Sequence, residues 1–497
     1  MRFNYRKIKK YLPLFLIIIG IIFRMNQYFY NRSLSEGEAP LAMNIIQRSY
    51  SELLKPLDYV QAAPVGFLYV EKLCLNIMGN NEFALRIFSL ITGILAIFLF
   101  LKILNFFDNF KVKFFALLLF IVNDPLIYFS SEVKPYSSDV FFSLIIILMA
   151  IIIIKNYPQS LSLIIPLCLI SAFYIWFSFP SVFVFCGIWL VLIFSMLNNK
   201  NGKAFLLLLL GGIIWFLSLG VNYLISLQHL IENKEFAEFW QNAFIPLPPK
   251  SLRDLYLLFY NFLRIFKNPG GFSIYEFLFP ILMLFIGIIT CWQKNKYYAL
   301  LFIAPVIITI LGSSLHLYPF EGRVLLFITP VLFVFTGSGI SYLYEIIRKN
   351  SQLVAILIVT ILLMHPIGVA CYHLIRPRAP EELRTVLEYV QRHKNNSDII
   401  YVYYGALNAF KYYQRRFLNT DDNYIAGIES RADWAGYYRD VQNLRGNKRV
   451  WFLFSHIATH LGVNEEKLFL SYLSLLGQQI ESFTASGASA YLYDLSE

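Results

Sequence analysis

The sequence of 497 residues is 58% hydrophobic and only 15% charged, and its formal net charge at pH 7 is +11. This composition, with a mean hydropathy of +0.58, excludes a soluble globular protein. Repeated apolar runs near bilayer-spanning length predict a polytopic α-helical membrane protein. The positive charge would also suit a nucleic-acid partner, but Lys and Arg normally collect on the cytoplasmic side of membrane proteins. No basic patch carries interleaved recognition aromatics, so we expect no nucleic acid.

The apolar runs predict about eleven spans. Their approximate bounds are 8–24, 86–107, 114–130, 137–154, 161–177, 180–197, 204–226, 274–292, 297–314, 323–343 and 352–372. The first run resembles a signal peptide but lacks a small-residue cleavage site, so we expect an uncleaved span. With the amino terminus in the cytoplasm, every short loop on that side carries Lys or Arg. This pattern predicts a multi-pass protein of the plasma (inner) membrane.

The remaining polar segments then fall on the outer side of the membrane. They are the loop 25–85, the turn 130–136, the segment 227–273 and the turn 314–322. Within 227–273, residues 235–240 and 255–260 predict helices that lie in the membrane interface. We therefore expect a membrane domain at 1–375, with outer loops at 25–85 and 227–273.

Residues 376–497 differ from the rest, and an odd number of spans places them outside the cytoplasm. Apolar spacing predicts helices at 381–394 and 468–476. Runs of β-branched and aromatic residues predict strands at 398–404, 449–454 and 490–495. The tail is therefore expected to be an extracytoplasmic α/β domain.

Glu36 and Glu38 lie in the first outer loop, just before a predicted helix at 39–54. An acid at the start of a helix suits the helix dipole, which is the structural interpretation of Glu38. The functional interpretation is a general base for an acceptor hydroxyl presented at the membrane surface.

The second outer turn carries Glu132, Lys134 and Tyr136, and Asp139 follows one turn into the next span. Ionisable groups at a span boundary are costly, which favours a functional role. The structural alternative is an internal pair of Glu132 with Lys134 at a solvated turn.

A third polar cluster contains His316, Tyr318, Glu321 and Arg323. Arg323 at the outer end of a span either extends to lipid phosphates or binds the phosphate of a lipid-linked donor in two-point geometry. His316 near these acids is a weak metal signal, because a lone His at a span end is more often a packing residue.

Several motifs together resemble the outer loops of GT-C glycosyltransferases. They are Gly20-Ile21-Ile22-Phe23-Arg24, Ser33-Leu34, Glu38-Ala39, Pro56-Leu57-Asp58-Tyr59, Ala63-Pro64, Leu85-Arg86, Glu132-Val133-Lys134-Pro135-Tyr136 and Tyr318-Pro319-Phe320-Glu321-Gly322-Arg323. The group they resemble is glycosyltransferase family 39, with the protein O-mannosyltransferases and lipid A aminoarabinose transferases. The resemblance implies a polyprenyl-phosphate sugar donor, an inverting transfer on the outer face and a catalytic carboxylate in the first loop.

The first loop departs from the family pattern. The family carries an Asp-Glu pair with a catalytic Asp, whereas this sequence has Gly37-Glu38 at those positions. Either Glu36 or Glu38 has taken over the role, or the enzyme is altered or inactive. Asp58 is a further catalytic candidate in the same loop.

The resulting prediction is a glycosyltransferase that uses a lipid-linked hexose or pentose donor. Its acceptor is a lipid, a glycan or a protein, and membrane lipid surrounds it. Arg323, with Lys134 and Tyr136, would bind the donor phosphate, while Glu132, Asp139, His316 and Tyr318 support the site. A divalent metal held through Glu132 or Glu38 is an optional cofactor. Two rivals stay open: a transporter or flippase for lipid-linked sugars, and a degenerate GT-C protein that binds such lipids or assembles a complex.

Overall fold

The computed structural model describes residues 5–273, 278–417 and 424–496. The chain divides by its internal contacts into two units. The first contains Met1–Phe29, Ser49–Pro56 and Ala62–Pro377, and the second contains Tyr30–Arg48, Leu57–Gln61 and Arg378–Glu497. Two pieces of the predicted first outer loop therefore group with the carboxy-terminal residues.

The first unit is built from helices. Their bounds are α1 Tyr5–Phe29, α3 Val65–Met78, α4 Ile87–Leu104, α5 Phe110–Val122, α6 Asp124–Phe129, α7 Tyr136–Lys155, α8 Ile164–Tyr174, α9 Ser181–Asn198, α10 Gly202–Asn222, α11 Gln228–Glu232, α12 Lys234–Trp240, α13 Leu252–Lys267, α14 Leu278–Lys294, α15 Lys296–Ser314, α16 Thr329–Arg348 and α17 Gln352–Ile375. Short 3₁₀ turns at Glu52–Leu54, Gln159–Leu163, Gln241–Ala243 and Gly322–Ile328, and a π turn at Tyr223–Leu227, join or extend them.

Eight helices in the described ranges are long and apolar enough to cross a membrane. They are Tyr11–Phe29, Ile87–Leu104, Tyr136–Lys155, Ser181–Asn198, Gly202–Glu232, Lys296–Ser314, Gly322–Arg348 and Gln352–Ile375. The polytopic helical fold predicted from the sequence is thus confirmed, while the count of eleven stays a prediction. The other three predicted spans correspond to shorter helices, and residues 274–277 of one of them lie outside the described residues.

One of these shorter spans is broken at Asn123. Its side chain accepts a hydrogen bond from the Leu126 N–H and so starts α6. Its amide also donates to the carbonyls of Pro269 and Gly270, at 3.1 and 2.9 Å. A single polar side chain therefore ends α5 and attaches the turn after α13.

Close helix packing in the first unit depends on small residues. A Cβ on Gly287 of α14 would lie 1.8 Å from the Phe335 carbonyl of α16, and a Cβ on Gly339 would lie 2.0 Å from the Met283 carbonyl. Glycine at these two positions allows the α14 and α16 backbones to touch, as small residues do at membrane helix interfaces.

Helices α12 and α13 confirm the two helices predicted between residues 227 and 273. Ser251 and Asp254 form a reciprocal capping box at the start of α13. The exposed face of α13 carries Leu252, Tyr256 and Phe259. This amphipathic character is typical of a helix that lies in a membrane interface.

The second unit contains a five-stranded sheet with helices, which confirms the predicted α/β tail. Its helices are α2 Ala39–Gln47, α18 Leu383–His393, α19 Leu407–Phe417, α20 Trp434–Gln442 and α21 Glu465–Leu476. Its strands are β1 Ile399–Val402, β2 Tyr424–Ala426, β3 Val450–Ser455, β4 Thr459–His460, β5 Val463–Asn464, β6 Gln478–Ala485 and β7 Ala488–Asp494.

The sheet has the order β2-β1-β3-β7-β6, and β4 pairs with β5 in a separate hairpin. β1 runs parallel to both β2 and β3, and Val402 lies opposite Ala426 and Leu453. β3 and β6 run antiparallel to β7. All six residues of β3 are buried, so the core of this unit is centred on that strand.

The helix predicted over 39–54 is shorter in the structure. α2 ends at Gln47, and a separate 3₁₀ turn covers Glu52–Leu54. Ser49 explains the interruption, because its N–H and hydroxyl both donate to the Glu52 carboxylate at 2.7 Å. This local side-chain bonding competes with continued helix.

Candidate functional site

Glu36 lies in the second unit and is held by the start of α19. One of its oxygens accepts from the Asn408 amide and the other accepts from the Ala409 N–H at 3.2 Å. Burial raises the pKa of Glu36 to about 7, although these two hydrogen bonds act in the opposite direction. A carboxyl with a pKa near neutrality is well matched to proton transfer at physiological pH.

Glu38 is fully buried and paired within its own loop. Its Oε2 lies 3.2 Å from Arg32 Nη2 and accepts hydrogen bonds from the Ser35 N–H and hydroxyl, at 3.2 and 3.3 Å. Glu38 occupies the position before α2, but its side chain makes no capping hydrogen bond there. Its carboxylate thus fixes the loop backbone instead of capping the helix.

Asp58, the third candidate carboxylate of the first loop, is the most exposed of the three. Its side chain is 63% exposed and lies 2.8 Å from Arg48. The Asn44 side chain binds the Asp58 backbone through both its amide and its carbonyl oxygen, at 3.2 and 2.9 Å. This part of the loop is therefore attached to α2.

Gly37, at the position where the resembled family carries an Asp, has room for a side chain. A Cβ there would meet only the Ser35 hydroxyl, at 3.7 Å, which is an ordinary contact. Lack of space for a side chain therefore does not explain why glycine occupies position 37.

The second outer turn is fixed by α4. The Ser89 hydroxyl donates to the carbonyls of Glu132 and Lys134, at 2.8 and 3.2 Å. A Cβ on Gly93 would lie 2.8 Å from Ser130 and from the Ser137 hydroxyl, so glycine allows the turn to approach α4. Glu132 and Lys134 are buried, at 5% and 8% exposure.

Arg323 lies next to this turn in the first unit. Its guanidinium is 6.0 Å from the ring centroid of Tyr136 and close to the tyrosine hydroxyl, and Glu132 lies within electrostatic range. Its Nε is buried and has no hydrogen-bond partner among the described residues. Arg323 therefore keeps a donor for a ligand.

Asp139 and Tyr318 complete this cluster. Asp139 is 4% exposed, lies beside Ser178 and leaves its Oδ1 without a hydrogen bond within the described ranges. The Tyr318 hydroxyl donates to the Val324 carbonyl at 2.8 Å. Burial raises the pKa of Tyr318 well above its ordinary value, and the nearby Asp139 charge adds to this effect. Tyr318 thus fixes the backbone next to Arg323.

His316 and Glu321 have other contacts. The His316 ring packs on Phe244 with 4.8 Å between centroids, and Glu321 is paired with Arg264 of α13. Sequence reasoning missed the Arg264 pair, since 57 residues separate the partners.

No metal centre emerges from the described ranges, where no three His, Cys, Asp or Glu side chains converge as an ion requires. Neither Glu132 nor Glu38, the alternative ligands suggested by the sequence, belongs to such a group within these ranges.

The structure brings the sequence-predicted residues together in two groups. Glu132, Lys134, Tyr136, Asp139, Tyr318 and Arg323 lie in the first unit, and Glu36, Glu38 and Asp58 lie in the second.

Carboxy-terminal residues bind the first loop, which sequence reasoning did not predict. The Ser33 N–H and hydroxyl donate to the Glu382 carboxylate at 3.2 and 3.0 Å. The Leu34 N–H donates to the Tyr413 hydroxyl, and the Glu36 N–H donates to the Glu381 carboxylate, both at 2.7 Å. The other oxygen of Glu381 lies 2.8 Å from His456 Nδ1. The one sequence feature that could have drawn attention to these contacts is His456, a polar residue just beyond the strand predicted at 449–454.

Comparison with known proteins gives structural neighbours only. No protein-family model matches the sequence, and no curated protein matches it. A structure of ArnT from Cupriavidus metallidurans bound to undecaprenyl phosphate is similar, with a TM-score of 0.53 at 12% identity, over 99% of this chain and 98% of that chain. The apo form of ArnT gives a TM-score of 0.55, also at 12% identity, over 97% of this chain and 98% of that chain.

The archaeal oligosaccharyltransferase AglB from Archaeoglobus fulgidus, in complex with an inhibitory peptide and a dolichol-phosphate, is also similar. The TM-score is 0.52 at 11% identity, over 97% of this chain and 74% of that chain. ArnT and AglB both have the GT-C fold, so the fold expected from the sequence resemblance is confirmed.

Proposed function

We propose that this protein is a GT-C glycosyltransferase that moves a sugar from a polyprenyl-phosphate donor to an acceptor at the outer face of the membrane, with inversion. The observation that carries the proposal is Arg323, whose buried Nε has no partner among the described residues. A guanidinium matches phosphate oxygens in two-point geometry.

The surroundings of Arg323 suit a phosphate attached to an apolar chain. Lys134 is buried in the same unit and adds a second positive charge, while Tyr136 supplies a ring beside the guanidinium. In a site that excludes water, such cations stabilise the charge that develops on a departing phosphate. Glu132 offsets part of this positive charge, and we assign Glu132 and Asp139 a supporting role.

The neighbouring structures agree with this donor class. ArnT was solved with undecaprenyl phosphate and AglB with a dolichol-phosphate, which are both polyprenyl-type phosphates. Sequence identities of 11–12% support the same fold for this chain, but they do not identify its sugar or its acceptor.

In the proposed reaction, the acceptor oxygen attacks the anomeric carbon as its bond to the donor phosphate breaks. The electron pair of that bond leaves on the phosphate, and a base takes the acceptor's proton. Among the carboxylates of the first loop, Glu36, Glu38 and Asp58 are the candidates for this role that the sequence suggested, and the contacts above attach each of them to a neighbouring segment.

The orientation follows from charge. The loops that join the predicted spans on the amino-terminal side all carry Lys or Arg, which favours a cytoplasmic location for that side. The second unit then faces outward in the plasma (inner) membrane. A reporter fused after Ser496 should be detected outside the cytoplasm, and a cytoplasmic signal would contradict this topology.

A degenerate GT-C protein is the second candidate, and Gly37 is the observation that favours it. The deciding experiment uses purified protein with undecaprenyl phosphoglucose, phosphomannose and phosphoarabinose, and follows release of undecaprenyl phosphate with a mixed cell-envelope acceptor fraction. Acceptor-dependent release from any donor supports the transferase. Binding of undecaprenyl phosphate without release from any donor supports the degenerate protein.

A further inference from the structure

Glu465 is a fully buried carboxylate at the start of α21 in the second unit. Its Oε2 accepts hydrogen bonds from three tyrosine hydroxyls, those of Tyr403 at 2.5 Å, Tyr404 at 2.6 Å and Tyr437 at 3.2 Å. Its Oε1 is buried as well, but it has no hydrogen-bond partner among the described residues. Because a buried carboxylate oxygen has lost its water, Oε1 requires a donor that the described side chains do not supply.

Arg431 lies on the solvent side of this carboxylate. Its Nε donates to the Tyr404 hydroxyl at 2.9 Å and is 3.5 Å from Glu465 Oε1. The guanidinium is 5.4 Å from the centroid of the Tyr404 ring, and its Nη1 lies 3.3 Å from the exposed Glu429. The Arg431 side chain is 43% exposed. Its inner edge is therefore oriented by Tyr404 and Glu465, while its outer edge faces solvent.

The segments that carry these residues meet at one edge of the sheet. The chain leaves β1 for β2 on one side and returns to β3 on the other, so the strand order reverses between β1 and β3. Tyr404 follows β1 and Arg431 follows β2. The Glu465 N–H donates to the Ala458 carbonyl, just beyond β3, at 3.0 Å. Ligands of α/β sheets bind outside the carboxyl ends of the strands at such a point.

His456 extends the exposed part of this cluster. It directly follows β3, its side chain is 56% exposed, and its Nδ1 lies 2.8 Å from Glu381. A Cβ on Gly405 after β1 would lie 2.9 Å from the His456 carbonyl, so the two loops meet there. The His456 φ of +51° lies in the left-handed region, and such strain is found preferentially at functional sites. Arg431 is within electrostatic range of His456.

The pairing of charges in this cluster selects the class of ligand. Arg431 has Glu429 and Glu465 beside it, and His456 has Glu381. The carboxylates outnumber the cations, which disfavours a phosphate, and each carboxylate already has a cation beside it, which disfavours an ammonium ligand. Donors and acceptors instead alternate along the same edge. A sugar hydroxyl both donates and accepts hydrogen bonds, so a neutral carbohydrate matches this arrangement.

We propose that the second unit binds a neutral carbohydrate at the cluster of Glu465, Tyr404 and Arg431. One sugar hydroxyl donates to Glu465 Oε1, and a neighbouring hydroxyl accepts from the Arg431 guanidinium, which shifts outward as the sugar enters. The tyrosine hydroxyls on Oε2 hold the carboxylate in place. Ile428, exposed in the same segment as Arg431, offers apolar contact to the sugar ring. This binding goes beyond the proposed sugar transfer and does not depend on it, since every group named belongs to the second unit.

The first test measures sugar binding to the purified full chain in lauryldimethylamine oxide, a detergent without sugar hydroxyls. The probes are the methyl glycosides of glucose, galactose, mannose and N-acetylglucosamine, and thermophoresis gives the Kd. We expect saturable binding of at least one probe in the millimolar range. Absence of saturable binding for all four probes would overturn the proposal.

The matched variants for this test are Arg431→Ala and Arg439→Ala. Both remove an exposed arginine that is paired with an acid of the second unit. Arg431→Ala should weaken glycoside binding at least about 10-fold, as expected for loss of charge-assisted hydrogen bonds. Arg439→Ala should bind as the wild type does. Equal affinities in the two variants would contradict a site at Arg431.

Hydrogen exchange of the wild type locates the sugar without any substitution at the buried Glu465. The bound glycoside should slow exchange in residues 403–409, 427–434 and 456–466, and leave β6 unchanged. Slowing confined to other segments would place the sugar elsewhere and overturn the proposal.

Tetramethylammonium and inorganic phosphate test the two charged classes of ligand. Binding of either ion in place of the glycosides, with loss in Arg431→Ala, would identify a charged ligand and overturn the carbohydrate assignment. A protein that binds a glycoside at this cluster but releases no undecaprenyl phosphate would support the binding site and contradict only the proposed transfer.

Discussion

Arg32 and Glu38 form an ion pair between two side chains of the same loop, six residues apart and almost completely buried. Nη2 and Oε2 are 3.2 Å apart, and the two side chains are 1% and 0% exposed. A buried pair of this kind is costly to break, because the remaining partner keeps its charge without compensation.

Glu38→Gln should therefore destabilise the second unit by about 3–5 kcal/mol. Thermal unfolding in detergent, followed by hydrogen exchange of the segment 30–48, measures the effect. Glu388→Gln on α18 removes the same charge where no described residue holds it by a hydrogen bond or an ion pair, so it should change little. The double variant Arg32→Met with Glu38→Met removes both charges and should be more stable than Glu38→Gln. If the double variant is not more stable than Glu38→Gln, breaking the Arg32–Glu38 ion pair is not the cause of the destabilisation.

Gly37→Asp should fold normally, since its Cβ meets only the Ser35 hydroxyl at 3.7 Å. We expect a change within about 0.5 kcal/mol. Gly487→Ala is the contrasting variant, because its φ is +61° and a Cβ would lie 1.7 Å from the Pro380 carbonyl. Thermal unfolding should show a clear loss of stability in Gly487→Ala and almost none in Gly37→Asp.

The same substitution tests whether position 37 takes part in the proposed sugar transfer. Gly37→Asp introduces the carboxylate that the resembled family carries there, and it should raise kcat above that of the wild type. No increase would mean that position 37 does not face the reacting acceptor.

Stability of the second unit should fall as the pH rises from about 4.5 through neutrality. A group with a higher pKa in the folded protein binds more protons there, so stability is lost between its unfolded and folded pKa values. For Glu36 this interval runs from about 4.5 to about 7. The contribution of His456 is complete below 6.5 and is lost as the pH rises through its raised folded pKa.

Hydrogen exchange of residues 31–38 at several pH values, corrected for the intrinsic rate, measures this dependence. Glu36→Gln should flatten the profile between about pH 4.5 and 7. If Glu36→Gln keeps the full slope of stability against pH, a group other than Glu36 titrates in this interval.

Arg323→Ala should weaken binding of undecaprenyl phosphate about 10–100-fold, as expected for loss of a charge-assisted hydrogen bond of about 1.5–3 kcal/mol. Native mass spectrometry or thermophoresis in detergent gives the Kd. Arg253→Ala removes an exposed cation from α13 and serves as the matched control. Equal losses in both variants would indicate general attraction to the anionic lipid, not a site at Arg323.

The sequence predicted the membrane architecture well, because long apolar runs carry their own signal. Where a polar residue interrupts such a run, as Asn123 does between α5 and α6, hydropathy alone did not show the break. Asn123 interacts with a turn almost 150 residues away, and only the folded chain shows that partner.

The sequence pointed to some residues of the candidate site but not to their contacts. Arg323 and the Glu132–Tyr136 turn stand out because charges are rare at span ends, and their role stays a prediction. The hydrogen bonds that Glu382 and Tyr413 accept from the first loop were not predicted, since more than 340 residues separate those partners. The contacts of Glu38 with Arg32 and Ser35 were not predicted, because the partner of a buried carboxylate depends on the folded structure.

The composition of the second unit has a consequence for protein synthesis. Its first piece, Tyr30–Arg48, leaves the ribosome roughly 330 residues before Arg378. At typical rates of about 5–20 residues per second, this delay lasts roughly 15–65 s. All eight long apolar helices are translated within or before that time. The loop therefore acquires its hydrogen-bond partners last, and the second unit is completed only after translation of the membrane part.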